Sequence, residues 1–146
     1  MASLDGLFYD DSTVALNTNL SQTTTLATLP TFSVSNTQSV QINATVALTL
    51  NVSSGNNLDF NILFQLQRVA GGITTTVRQV TQSMAIQTPN SSNTNFFPSF
   101  SVVDTPGTVT ATYQIIATIQ WLGGAATANF TATSTTDMTA LLITPL

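Results

Sequence analysis

From Val40 to Val52 every even position is apolar, and the odd positions between them are polar except Ala47. A period of two puts Val40, Ile42, Ala44, Val46, Leu48, Leu50 and Val52 on one side of a pleat, with Gln41, Asn43, Thr45, Thr49 and Asn51 on the other. The run, residues 38–52, predicts a long strand of about 45 Å with one buried face. A slip of one residue would expose the whole apolar set, so this strand fixes the register of its neighbours.

The same alternation recurs downstream. Leu58, Phe60, Ile62, Phe64 and Leu66 alternate with Asp59, Asn61, Gln65 and Gln67, while Leu63 and Val69 intrude on the polar side and predict a second buried face there. Ser53 to Asn57 reads as a hairpin loop, which makes this strand the antiparallel return of the first. Ala70-Gly71-Gly72 is a turn, and a change of apolar phase between Ile73 and Ile86 predicts a bulge or a turn near Arg78 to Thr81. Thr88 to Thr94 is a polar loop, and Pro98, amid Phe96, Phe97 and Phe100, predicts an edge strand or a bulge. Asp104-Thr105-Pro106-Gly107 is a strong turn signal. Val109, Ala111, Tyr113, Ile115, Ala117, Ile119 and Trp121 then form the apolar face of a second long strand. Gly123-Gly124 reads as its hairpin, with Ala126, Ala128, Phe130 and Ala132 on the return. Met138, Ala140 and Leu142, with Leu141 and Ile143 opposite, predict a last strand buried on both faces.

Upstream, Val14, Leu16, Leu26, Leu29, Phe32 and Val34 mark short strands broken by turns, and no window repeats at helical spacing. The expected fold is all-β: a two-sheet antiparallel sandwich of eight to ten strands, with jelly-roll wiring first and an immunoglobulin-like sandwich second. Residues 1–12 read differently. Leu4, Leu7, Phe8 and Tyr9 among three Asp residues suggest an arm that docks on a neighbouring subunit, with Gly6 as its joint. The expected organisation is an arm or connector over 1–12 and a jelly-roll domain over 13–146.

Charge changes the picture most. Only 5% of the residues are charged, Lys, Glu, His and Cys are absent, and six Asp against two Arg give a net charge of −4. Free protein surfaces carry far more charge, and interface cores are depleted in it, so self-association is expected. Without a basic patch, nucleic acid is not an expected partner. No stretch of 18 apolar residues predicts membrane insertion, and the start lacks the pattern of a classical signal peptide. Catalysis is not expected, because His, Lys and Cys are missing and the only acidic pair, Asp10-Asp11, sits on adjacent residues that point apart in an extended chain. Neither a cofactor nor a metal site is expected. Tyr113 and Trp121 read as core, and Phe96 and Phe97 cannot both point inwards, which places one of them at a possible interface.

The strand Val109 to Trp121 with its internal Tyr113, the Gly123-Gly124 turn, the small-residue strand Ala126 to Thr133 and the Ala140-Leu141-Leu142-Ile143 run together resemble the tumour-necrosis-factor-like jelly roll. This is the family of the complement globular heads, and the resemblance is strongest to the small Cys-poor members on bacterial spore surfaces. It implies a homotrimer, an extracellular or spore-surface location, and a structural role in an exosporium or endospore-appendage fibre, extended head to tail through the arm. The alternatives are a discrete trimeric head that binds a carbohydrate or protein, and a viral or phage capsid or fibre jelly roll.

Overall fold

A computed structural model of the chain describes residues 2–18, 22–52, 56–88, 92–124 and 130–145. Among these are ten strands: β1 (Ser3–Ala15), β2 (Thr23–Thr28), β3 (Phe32–Val34), β4 (Ser39–Val52), β5 (Asn56–Ala70), β6 (Ile73–Thr88), β7 (Ser92–Phe96), β8 (Ser99–Asp104), β9 (Val109–Gly124) and β10 (Phe130–Thr144). They form two antiparallel sheets. The first runs β1-β10-β4, with β7 and β8 in tandem on the far side of β4; the second runs β9-β5-β6, with β2 and β3 in tandem on β9. The predicted sandwich is present.

The wiring is that of a jelly roll. The β2–β3, β5–β6 and β7–β8 connections stay within one sheet, and every other connection crosses from one sheet to the other. Gly71 and Gly72, at φ 57° and 77°, form the tight β5–β6 hairpin, whose two left-handed residues match the twist of the flanking strands. Two expected hairpins are therefore corrected. β4 and β5 do not pair, nor do β9 and β10; each pair lies in opposite sheets. Gly123 and Gly124 extend β9, opposite Asp59 and Leu58, and do not turn the chain. Residues 53–55 and 125–129 lie outside the described residues. Alternation dictates which face of a strand is buried, but not which neighbour supplies its backbone hydrogen bonds, so a hairpin and a crossover read alike.

The core is the sum of the predicted apolar faces. Val40, Ile42, Val46, Leu48 and Leu50 of β4 meet Phe60, Ile62, Phe64 and Leu66 of β5 and Tyr113, Ile115 and Ile119 of β9 across the sandwich. At about 1.5 to 3 kcal/mol for each large side chain withdrawn from water, these faces are the main force holding the sheets together. The bulge of β6 lies at Val77, between Thr76 and Arg78, just before the predicted stretch. Pro98 separates β7 from β8 on the sheet edge, as expected, and its carbonyl accepts a hydrogen bond of 2.9 Å from Val46 N–H. On β10, Leu141 and Ile143 are half-buried, not buried, because their face looks outward.

The N-terminal arm is the largest correction. Residues Ser3 to Ala15 pair with β10 of the same chain, from Ser3 opposite Thr144 to Ala15 opposite Thr133. The boundary drawn at residue 12 falls inside this strand. The apolar residues taken for a docking arm follow a strand period: Gly6, Phe8, Asp10, Ser12 and Val14 turn toward the core, and Leu7, Tyr9, Asp11, Thr13 and Ala15 turn away from it. Gly6 is not a joint. It follows a bulge, and a Cβ there would come within 3.0 Å of the Phe8 ring.

Candidate assembly surface

Period two divides the predicted arm residues between two environments. Phe8 faces in and stacks on Phe32, with ring centroids 4.1 Å apart and planes 8° from parallel. Leu7 and Tyr9 face out, 59% and 72% exposed, and Leu4 is exposed at the bulged end. The first sheet sets them beside residues the sequence had not linked to them. One row across its outer face reads Leu7, Leu141, Gln41, Val103, and the next reads Tyr9, Thr139, Asn43, Ser101. Leu4 lies opposite Ile143. Exposed Leu4, Leu7, Tyr9 and Val103, with half-buried Leu141 and Ile143, thus make an apolar tract on a sheet face of neutral polar residues. A shallow depression lined by Leu7, Tyr9, Asp10, Asp11, Asp137, Met138 and Thr139 borders it.

The carboxylates near this tract are arranged by the same alternation. Asp10 turns inward, where its Oδ2 accepts hydrogen bonds from Ser12 Oγ at 2.9 Å and Thr28 N–H at 2.8 Å, tying the first sheet's edge to the second sheet. Asp11 turns outward, opposite Asp137 of β10. Like charges directly opposite on a ladder oppose its pairing. Asp5, at the bulge, accepts from the Thr144 hydroxyl and from Gln38 Nε2. These bonds, Thr144 first and then Gln38, hold its pKa below the usual 3.8. No group of three or more potential ligand side chains among the described residues is arranged to hold a metal.

The other predicted aromatic candidates separate in the same way. Phe96 packs against the core while Phe97 is exposed, so one of the two faces out as required. Tyr113 is fully buried, and the side chain of Trp121 lies outside the described residues. Tyr113 also belongs to a polar cluster that the sequence did not reveal. Its hydroxyl donates to Asp104 Oδ2 at 2.8 Å, and Arg68 Nη1 donates to the same oxygen at 2.6 Å. Asp104 ends β8 in the first sheet while Arg68 and Tyr113 are paired neighbours on β5 and β9, so the cluster clamps one end of the sandwich. Burial foremost, then the hydrogen bond to Asp104, raises the Tyr113 pKa well above 10.0. Burial would lower the Arg68 pKa, but the hydrogen bond and charge of Asp104 outweigh it and raise it. Phe32, stacked between Phe8 and Tyr113, extends the line of contacts to the opposite edge.

The second sheet's outer face is mostly uncharged as well, with exposed Asp59 on β5 as an exception. Hydroxyl pairs cross its strands at Thr23–Thr118, 3.2 Å, and Ser33–Thr110, 3.2 Å, and Gln114 donates to Gln67 at 3.1 Å. Ile116, buried on this face beside Leu63 and Gln65, was missed because it interrupts an otherwise polar run of alternate positions from Thr108 to Gln120. It gives partial substance to the second buried face suggested by Leu63.

No family model and no curated protein sequence matches the chain. Solved structures do. A chain from the structure of the infectious bursal disease virus Gx strain superposes with a TM-score of 0.52 over 94% of this chain at 12% identity. One from the Gt strain of that virus gives 0.50 over 96% at 16% identity. The likeness is one of fold. The present chain spans about a third of those longer chains, 35% and 34% of their lengths.

Proposed function

We propose that this chain is a self-assembling structural subunit, a capsid-type jelly roll that packs against copies of itself through the outer face of the first sheet. The observation that carries this reading is the apolar tract of Leu4, Leu7, Tyr9 and Val103 on a face whose charges, among the described residues, are Asp11 and Asp137, with Asp5 at the bulged end. A surface kept in water would carry interspersed charge; one covered by a neighbour would lack it. The shared fold with infectious bursal disease virus chains, over almost the whole of this chain, supports a viral or phage particle as the setting. The trimer implied by the family resemblance is the expected first oligomer. The fibre linked by residues 1–12, which was the first expectation, loses its support, since Ser3 to Ala15 are paired with β10.

The role proposed is structural and not catalytic. Its test is assembly. The chain at micromolar concentration is expected to sediment as an oligomer and to give regular particles in electron micrographs. Leu7→Lys/Tyr9→Lys/Val103→Lys replaces three exposed side chains, so its circular dichroism spectrum and cooperative melting should be retained while the oligomer, and the concentration-dependent part of the midpoint, are lost. A monomeric native chain, or a triple variant that assembles as well as the native one, would sink the reading.

A further inference from the structure

The four sheet edges are protected very unequally. β1 carries a bulge at its start and Asp5, Asp10 and Asp11 along its length. The edge made by β2 and β3 is split at Pro30, and the edge made by β7 and β8 at Pro98. β6 is different. It runs for 16 residues, pairs among the described residues only with β5, and has neither proline nor acid; its one bulge lies near the start, at Val77. Beyond Arg78, residues 79–88 carry no charge. An unpaired row of backbone donors and acceptors of this length templates another strand, and proteins that keep such an edge free guard it with charge, proline or a distorted backbone.

We infer that β6 is a second self-association site, at which two copies of the chain pair antiparallel through Arg78–Ile86 to join their second sheets into one. The inference goes beyond the sheet-face contact proposed above and does not depend on it. A second copy fits because the sequence is self-complementary about Gln82. With a two-fold axis there, half-buried Val80 of one copy meets buried Met84 of the other on the core side, and exposed Thr81 meets exposed Ser83 on the outer side. The two Gln82 side chains face each other across the axis and can exchange amide hydrogen bonds. Arg78 lies four residues from the axis, so the two cations sit about 26 Å apart along the ladder and do not repel strongly. Slipping the axis to Arg78 would set the two guanidinium groups opposite each other, which disfavours that register.

Because the chain has no cysteine, the register can be read with single-cysteine variants. Residues opposite each other across an antiparallel ladder have Cα atoms about 4.5 to 5.5 Å apart, within the range a disulfide spans. Gln82→Cys is expected to give a disulfide-linked dimer under mild oxidation at least about tenfold faster than Gln79→Cys, whose two copies would lie about 20 Å apart along the ladder. Adding Thr81→Lys/Ser83→Lys at exposed positions sets lysines opposite each other and should abolish that advantage while the circular dichroism spectrum is unchanged. Equal rates for the two cysteine variants, as expected if β6 stays free or receives a strand from a different protein, would overturn the inference, as would cross-linking that the lysines leave untouched. Regular particles without the Gln82→Cys cross-link defeat the edge contact alone. Cross-linked dimers that form nothing larger defeat the particle reading and leave the edge contact standing.

Discussion

Replacing Phe8 with alanine tests whether the first strand belongs to the fold of its own chain. The Phe8 ring is stacked on Phe32 at 4.1 Å and packs against the core, yet it is only half-buried. A fully buried Phe→Ala change costs about 3 to 5 kcal/mol, so the partial burial of Phe8 scales the expected loss to about 2 kcal/mol, including the stacking contribution. For 146 residues the entropy of unfolding near the midpoint is about 0.3 kcal/mol/K, which converts that loss into a fall in Tm of about 7 °C. The assay is thermal unfolding by circular dichroism over a hundredfold range of protein concentration, with Tyr9→Ala as the exposed neighbour. Phe8→Ala should shift the midpoint by the same amount at every concentration, and Tyr9→Ala should shift it little at the dilute end, where association adds least. A fall below about 2 °C for Phe8→Ala, or one that changes with concentration, would mean that the strand is not held by its own chain and would refute the cis pairing.

Asp104→Asn leaves the Arg68 guanidinium and the Tyr113 hydroxyl without their shared carboxylate, with the Arg68 side chain only 19% exposed. Urea unfolding should show a loss of about 2 kcal/mol, below the full penalty for a buried pair because some solvent reaches it, whereas Tyr113→Phe removes one hydrogen bond and should cost about 1 kcal/mol. Asp5 sets an acid limit at the bulged end of β1: its folded pKa is depressed, so its contribution is present above 3.8 and is lost as pH falls through the lower folded value. Amide exchange at Leu4 and Leu7 should accelerate in that window in the native chain, and less so in Asp5→Asn. Tyr113 sets the opposite limit, because its folded pKa is raised: its contribution is complete below 10.0 and declines as pH rises toward the folded value, which a Tm series above that pH would show and Tyr113→Phe would flatten.

Most strands were legible because burying one face leaves a mark of period two. The reading of 38–52 matches β4 to within a residue at its start, and Val109 is where β9 begins. Pro98 and the division of Phe96 from Phe97 were also legible, since a missing N–H and the alternation of a pleat are local properties. What the sequence concealed is what depends on distant neighbours. Leu7, Leu141, Gln41 and Val103 meet in one row only because β10 lies between β1 and β4, and no local pattern records that order. The apolar cluster at the start looked like an arm because Leu7, Phe8 and Tyr9 are contiguous; in the strand the middle one is turned toward Phe32 and the outer two away from it. The Arg68–Asp104–Tyr113 clamp joins residues from two sheets, and Asp104 by itself read only as the start of a turn.

The position of β10 imposes an order on synthesis. Of the ten described strands it is made after the other nine, and it lies between β1 and β4, the two earliest long strands among them. Until residues 130–144 emerge, β1 has no partner in its sheet and β4 lacks one of its two sides, so the nascent chain must hold its earliest apolar residues in waiting. Contacts that span nearly the whole chain, such as Ser3 with Thr144, are also the slowest to close. An interrupted chain therefore carries Leu7 and Tyr9 on a segment with no ladder to display them. The row that presents them beside Leu141 comes into being only once β10 has been made, so the face proposed for assembly is completed after the other described strands are already in place.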